Sequence, residues 1–117
     1  MSESKAIVYL FTDDGMGTTS DQVLQYKLTA TFLRLQAESG LLPRAICFYT
    51  DGVRLVCEGS PVLSELQTLE QLGVRLVACG TCLNAFGLEG RVRAGIVGGM
   101  GDIVTAMQTA DSVITLS

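Results

Sequence analysis

The sequence predicts an α/β fold, a three-layer α/β/α sandwich with a mainly parallel sheet of about five strands. Three observations carry that expectation. Apolar runs of strand length alternate with longer segments of helical period, as in chains of crossover units. The runs are nearly continuous rather than alternating, Ala6-Ile7-Val8-Tyr9-Leu10-Phe11 being the plainest, which suits strands buried on both faces. And 117 residues with no linker, repeat or low-complexity tract fit a single domain, 1–117.

The elements follow in order. Residues 5–12 form the first strand, and residues 13–20, Asp-Asp-Gly-Met-Gly-Thr-Thr-Ser, have loop chemistry. A helix is expected from about Asp21 to Glu38, capped by Ser20 or Asp21 and ended by Gly40 and Pro43. Leu24, Leu28, Phe32 and Leu35 make one apolar stripe along it. Arg44 to Thr50 is a second strand, and Asp51-Gly52 turns the chain into the run Val53-Arg54-Leu55-Val56-Cys57. Ser60-Pro61 reads as a helix start, with Val62, Leu66, Leu69 and Leu72 on one face and Gly73 closing it. Val74 to Ala78 is the third long strand, followed by a brief helix over 80–86 with Phe86 and Leu88 as anchors. A fourth strand falls within Val92 to Val97. Asp102 to Ala110 is helical, burying Ile103, Met107 and Ala106 or Ala110, and Asp111 to Leu116 gives a last strand.

Composition narrows the function. Net charge is −4 and Lys and Arg never cluster, so nucleic acid and anionic membrane are excluded as partners. No apolar stretch reaches the ~18 residues of a membrane span, and no signal-peptide pattern opens the chain, so the cytoplasm is the expected location. There, four cysteines are expected to be free, catalytic or metal-binding. The chain has no histidine, which excludes Ser–His–Asp and Cys–His pairs and any imidazole zinc site. Whatever activates a cysteine must be a backbone dipole, a Lys or Arg, or another chain.

Sites in open parallel sheets lie beyond the carboxyl ends of the strands. Three loops meet that edge: 13–20, 51–60 and 79–83. The last holds Ala78-Cys79-Gly80-Thr81-Cys82-Leu83, a C-x-x-C at a strand-to-helix junction. A helix starting near Gly80 would aim free N–H groups and its positive end at the Cys79 sulfur, favouring the thiolate that handles sulfane sulfur. Cys82, one turn on, would resolve or tune Cys79, or else pack inward; the bland alternative makes both cysteines small core residues. Cys47, between Ile46 and Phe48, reads as core, and Cys57, beside Glu58, as a weaker reactive candidate. Gly15-Met16-Gly17 lacks the third glycine of a dinucleotide turn and the lysine of a P-loop, and Asp13 and Asp14 would repel phosphate. The two carboxylates read as a solvated turn before a metal site, and no cofactor is expected. Met16 could cover the cysteine pocket, and Gly98-Gly99-Met100-Gly101 could line it or be a flexible turn.

Gly52-Val53-Arg54-Leu55, Glu58-Gly59-Ser60-Pro61-Val62-Leu63, Leu69-Glu70 and Cys79-Gly80-Thr81-Cys82-Leu83, in that order, resemble the DsrE/DsrF-like family. Within it the chain is most similar to the carboxy-terminal domain of the YedF-type, sulfurtransferase-like selenium metabolism proteins, from about Met16 to Thr115. The resemblance implies the DsrE-like fold, and homo-oligomers or, as in TusD and DsrE, hetero-oligomers. It also implies a cysteine that carries persulfide sulfur between partner proteins, at the position that falls on Cys79. The amino-terminal SirA/TusA-like domain of YedF has no counterpart in these residues, so a SirA/TusA-like protein is an implied partner. The expected function is thus sulfur relay: a sulfurtransferase component taking persulfide on Cys79 from a donor protein and passing it to an acceptor, with Cys82 as modulator. The alternatives are a Cys79/Cys82 thiol–disulfide switch and a non-catalytic small-ligand module.

Overall fold

The structure, a computed structural model, describes residues 6–116. Lys5, expected to open the first strand, lies outside the described residues, as do 1–4 and 117 of the expected domain. Five strands form the sheet: β1 (Ile7–Phe11), β2 (Ala45–Phe48), β3 (Arg75–Cys79), β4 (Ile96–Gly98) and β5 (Ser112–Thr115). Their order is β4-β3-β2-β1-β5 and every pairing is parallel. The continuous apolar runs are explained by position, because β1, β2 and β3 are the central strands and are buried on both faces almost throughout.

Strand order dictates the layers. From β1 to β4 the chain steps one way across the sheet, so right-handed crossovers put the intervening helices on one face. There α1 (Gln22–Ser39) and α2 (Leu63–Gln71) pack side by side. Tyr9 meets Phe32 of α1 edge-on at 5.3 Å, and Phe11 stacks on Phe48 at 5.6 Å. The step from β4 back to β5 reverses direction, which sends α4 (Met100–Gln108) alone to the opposite face. At the carboxyl edge sit the short α3 (Gly80–Ala85) and a 3-10 helix over Thr50–Val56, the form taken by the run after Asp51-Gly52.

Helix α1 has close to the expected limits, but its inner face is turned by one residue, about 100°, and of the expected stripe Phe32 alone packs inward, against Tyr9. Asp21 caps it by accepting the Leu24 amide at 3.1 Å, and Gly40, at φ 73°, ends it. Leu24, Leu28 and Leu35 are 43%, 47% and 51% exposed, whereas Gln25, Thr29 and Leu33 are buried. Polar ties turn the helix that way. The Gln25 amide donates to Asp13 Oδ2 and the Gly17 carbonyl, and the Thr29 hydroxyl accepts the Met16 amide at 2.8 Å.

Three smaller differences have local causes. Helix α2 starts at Leu63, not at Ser60-Pro61: the Ser60 hydroxyl accepts the Val62 amide at 3.2 Å, closing a turn ahead of the helix. Val62, Leu66 and Leu69 are buried as expected, but Leu72, at the C-cap, is half-exposed. In the fourth segment only Ile96–Gly98 joins the sheet, while Val92 bridges antiparallel to Cys57. The buried anchor of α3 is Leu83; Phe86 lies partly exposed beyond its end.

The turned face of α1 is testable by denaturant unfolding. Leu33→Ala is expected to cost about 2–5 kcal/mol, and Leu28→Ala to stay within about 0.5 kcal/mol.

Candidate functional site

All three loops lie at the carboxyl edge, as expected, and the backbone brings two of them into contact. Gly52 fits against the end of β1 so closely that a Cβ there would lie 2.0 Å from the Phe11 carbonyl oxygen. This seats the 3-10 helix beside α3. Thr50 then takes φ 49°, the only non-glycine in the left-handed region among the described residues. For a β-branched residue that conformation is strained. Its hydroxyl is held between the Thr12 and Tyr49 carbonyls.

The bent backbone points the Thr50 amide at Cys82, donating to its Sγ at 3.1 Å. One turn along both elements, the Arg54 guanidinium lies 4.3 Å over the Phe86 ring and Arg54 Nε donates to Asp51 at 3.1 Å. Cys79 and Cys82 are brought together, close enough for the Cys79 sulfur to help raise the pKa of the Cys82 thiol. Their exposure differs sharply: Cys79 is 1% exposed, while Cys82 is half-buried. Cys79 is the N-cap of α3, but its sulfur accepts no capping hydrogen bond. The backbone N–H expected at Cys79 goes instead to Cys82, from a different element. Burial pushes the Cys82 thiol up, the Thr50 amide opposes it, and the neighbouring Cys79 sulfur adds to the rise. The pair therefore retains a proton on its outer sulfur at neutral pH.

The other cysteines stand apart. Cys47 is fully buried in β2, where burial raises its pKa. Cys57 is buried at the end of the 3-10 helix, and its thiol donates to the Val53 carbonyl at 3.2 Å. Burial raises its pKa too, against Arg54 and Arg93. Glu58, expected to suppress the Cys57 thiolate, is paired with Arg93 at 2.7 Å. Among the described residues no group of Cys, Asp or Glu is arranged to hold a metal ion.

Loop 13–20 is a polar anchor. Tyr26 donates to Asp14 Oδ2 at 2.8 Å, and Asp13 Oδ1 accepts the Asp14 amide at 2.8 Å. Asp14, Tyr26, Arg54, Cys57, Ser60 and Leu88 border a cleft of about 180 Å³. Burial raises the Asp14 carboxyl, partly offset by the Tyr26 hydrogen bond. Tyr26 is pushed up to about 12, first by burial and then by Asp14. Met16 packs against the core, and Gly98 sits between Val77 and Asp102.

Sequence reasoning missed Thr50, Arg54 and Phe86 as neighbours of the cysteine pair. Asp51-Gly52 signals a turn, yet the positive φ falls on Thr50, and Gly52 is required for close approach. The spacing Thr50–Arg54 against Cys82–Phe86, four residues in each element, was the available signal.

Comparison with known proteins gives the family and the fold. Residues 5–116 match the model of the DsrE/DsrF-like family. Among solved structures, the chain is similar to the ychN protein from E. coli, with TM-score 0.67 and 16% identity over 92% of this chain and 97% of that one. It is also similar to MTH1491, of unknown function, from Methanobacterium thermoautotrophicum, with TM-score 0.68 and 21% identity over 93% and 96% of the two chains. A third, BT1422 from Bacteroides thetaiotaomicron, has TM-score 0.67 and 18% identity over 94% of each. At these identities the likeness is one of fold. No curated protein matches the chain.

The Asp14–Tyr26 contact can be read by alkaline titration of phenolate absorbance, with Tyr26→Phe identifying the signal. Tyr26 is expected to ionise near 12. Asp14→Asn should bring it only part of the way back toward the ordinary tyrosine value of 10.0, because burial is the larger cause. Since the folded pKa is raised, stability from this phenol is complete below its unfolded pKa and is lost as pH rises through the folded value.

Proposed function

We propose, from the premise that this chain belongs to the DsrE/DsrF-like family, that the Cys79/Cys82 pair carries sulfane sulfur as a persulfide between protein partners. Membership places the chain among proteins that are generally sulfur-relay components. The observation that carries the finer reading is the paired sulfurs at the sheet edge, one half-buried beneath an oriented backbone N–H and one enclosed behind it.

Access assigns the order of events. Donor sulfur meets Cys82 first, because Cys79 has almost no exposed surface. The Cys82 thiolate attacks the outer sulfur of a donor persulfide, the donor S–S bond breaks, and the donor leaves as thiolate. The proton that Cys82 gives up passes to the departing donor thiolate, and the Cys79 thiol in turn releases its proton to solvent as it attacks. The Cys79 thiolate then takes the outer sulfur, forming its own persulfide and returning the bonding electrons to Cys82. No oxidant is needed, since sulfane sulfur moves without net redox change. The enclosed Cys79 persulfide is shielded from reductants, and reversal through Cys82 delivers the sulfur to an acceptor. On this reading the partners are a sulfur donor and an acceptor protein, a SirA/TusA-like protein among the candidates. The exposed Leu24, Leu28 and Leu35 stripe supplies apolar surface for protein contacts, including self-association.

A second reading has a specific observation in its favour. The closeness of the two sulfurs suits a dithiol–disulfide switch, in which a disulfide oxidant takes one proton and one electron from each thiol and is itself reduced to two thiols.

Fragment-resolved mass spectrometry after brief exposure to a protein persulfide donor separates the two. Wild type is expected to gain one sulfur, found on Cys79. Cys82→Ala should slow uptake at least about tenfold, and Cys79→Ala should load on Cys82 but lose the sulfur readily to added thiol. Equal loading of Cys82→Ala and wild type would remove Cys82 as the entry point. Loss of two hydrogens with no added sulfur would establish the redox switch instead.

A further inference from the structure

The lone helix on the second sheet face leaves a groove that the sulfur chemistry does not use. It measures about 390 Å³ and runs between α4 and the starts of β2 and β3, within the size range of small-molecule sites. Ala45 and Val77 give it an apolar floor, and Ala106 forms part of its helix wall. Arg44 and Arg75 stand at one end and Asp102 at the other. Strand β3 separates it from the cysteine pair: Arg75 and Cys79 are four residues apart, about 13 Å.

The charges at the two ends are not equivalent. Arg44 is fixed in place, its Nη2 donating to the Thr109 carbonyl at 2.7 Å at the carboxyl end of α4. Arg75 makes no ion pair with any described residue. Asp102 stands at the far end, accepting the Gly99 amide at 2.9 Å and closing the first turn of α4. The groove thus has spare cationic hydrogen-bond donors at one mouth, an apolar middle and an acid at the other mouth. That pattern favours one anionic head and disfavours a second.

We infer that this groove binds a linear, singly anionic organic ligand, its carboxylate between Arg75 and Arg44 and its apolar chain along Ala45, Val77 and Ala106. From Asp102 to Thr109 the helix rises about 10 Å, which suits a medium-length chain such as octanoate. The site is independent of the sulfur-relay reading.

Backbone-amide NMR with octanoate, and with octanol as the uncharged control, tests it on the full chain. Saturable shifts confined to the amides around Ala45, Arg75, Val77 and Thr105 are expected. Arg75→Gln, an exposed change, should weaken binding at least about tenfold. Ala106→Leu, which fills the groove, should abolish binding while the rest of the spectrum stays native. Octanol should bind far more weakly. Equal affinities of octanoate and octanol, or of wild type and Arg75→Gln, would overturn the proposal, as would the absence of saturable shifts. It would also fail if Ala106→Leu lowered the molecular mass in solution and the groove amides were protected only in the larger species, since a second copy would then fill the groove. Sulfur uptake at the cysteine pair should not change with octanoate.

Discussion

The contact on which the rest of the site depends is backbone against backbone: Gly52 pressed onto the Phe11 carbonyl. That oxygen already accepts the Tyr49 amide at 3.1 Å, so the chain leaving β2 is pinned to the end of β1 before the 3-10 helix begins. Any side chain at residue 52 would push the helix outward, because the obstacle is main chain in a central strand and cannot move aside. Thr50 bears the consequence. Its left-handed backbone costs of the order of 1–3 kcal/mol, held in place by the Gly52 contact below and by its hydroxyl between two carbonyls. In return its amide is fixed on a sulfur in another element. Residues 50 and 54 are thereby set against 82 and 86.

This arrangement is how a chain without histidine can set the state of a thiol. The fixed donors available are main-chain amides, and the one aimed at the pair comes from a strained turn, not from the first turn of α3. That helix has six residues and gives Cys79 no side-chain cap bond. Two influences raise the Cys82 pKa, burial and the adjacent sulfur, and the Thr50 amide opposes them. The balance keeps a proton within the pair while leaving the outer sulfur a hydrogen-bond donor to stabilise it once it ionises. A raised pKa lowers the thiolate fraction and increases the nucleophilicity of the thiolate that does form.

Much of the fold was legible because its signals are local. Continuous apolar runs marked β1, β2 and β3, and Gly40, Gly73 and Asp21 punctuated the helices where expected. The C-x-x-C was legible as a junction for the same reason. What could not be read was orientation. The stripe Leu24–Leu28–Leu35 has good helical period, yet the inner face of α1 is chosen by Gln25 and Thr29, which satisfy the amides and carbonyls of the loop over 13–17. Leaving those groups buried and unpaired would cost more than exposing part of three leucines. The relative burial of Cys79 and Cys82 is likewise a tertiary fact. Both residues sit in the same short motif, and only the seating of the 3-10 helix decides which sulfur meets solvent.

The same reasoning explains why the molecule carries two kinds of unfilled surface. Helix α1 is tied down by polar bonds on its inner side, so its apolar stripe has no place within the fold. On the other face, the reversal from β4 to β5 supplies one helix where the first face has two. Helix α4 buries Ile103 completely, yet a groove remains between it and the starts of β2 and β3. Arg44 ties the carboxyl end of α4 to the start of β2 by bonding Thr109, and Asp102 closes its amino end against Gly98 and Gly99. The gap beneath α4 therefore follows from the connections, which lay one helix on this face and two on the other.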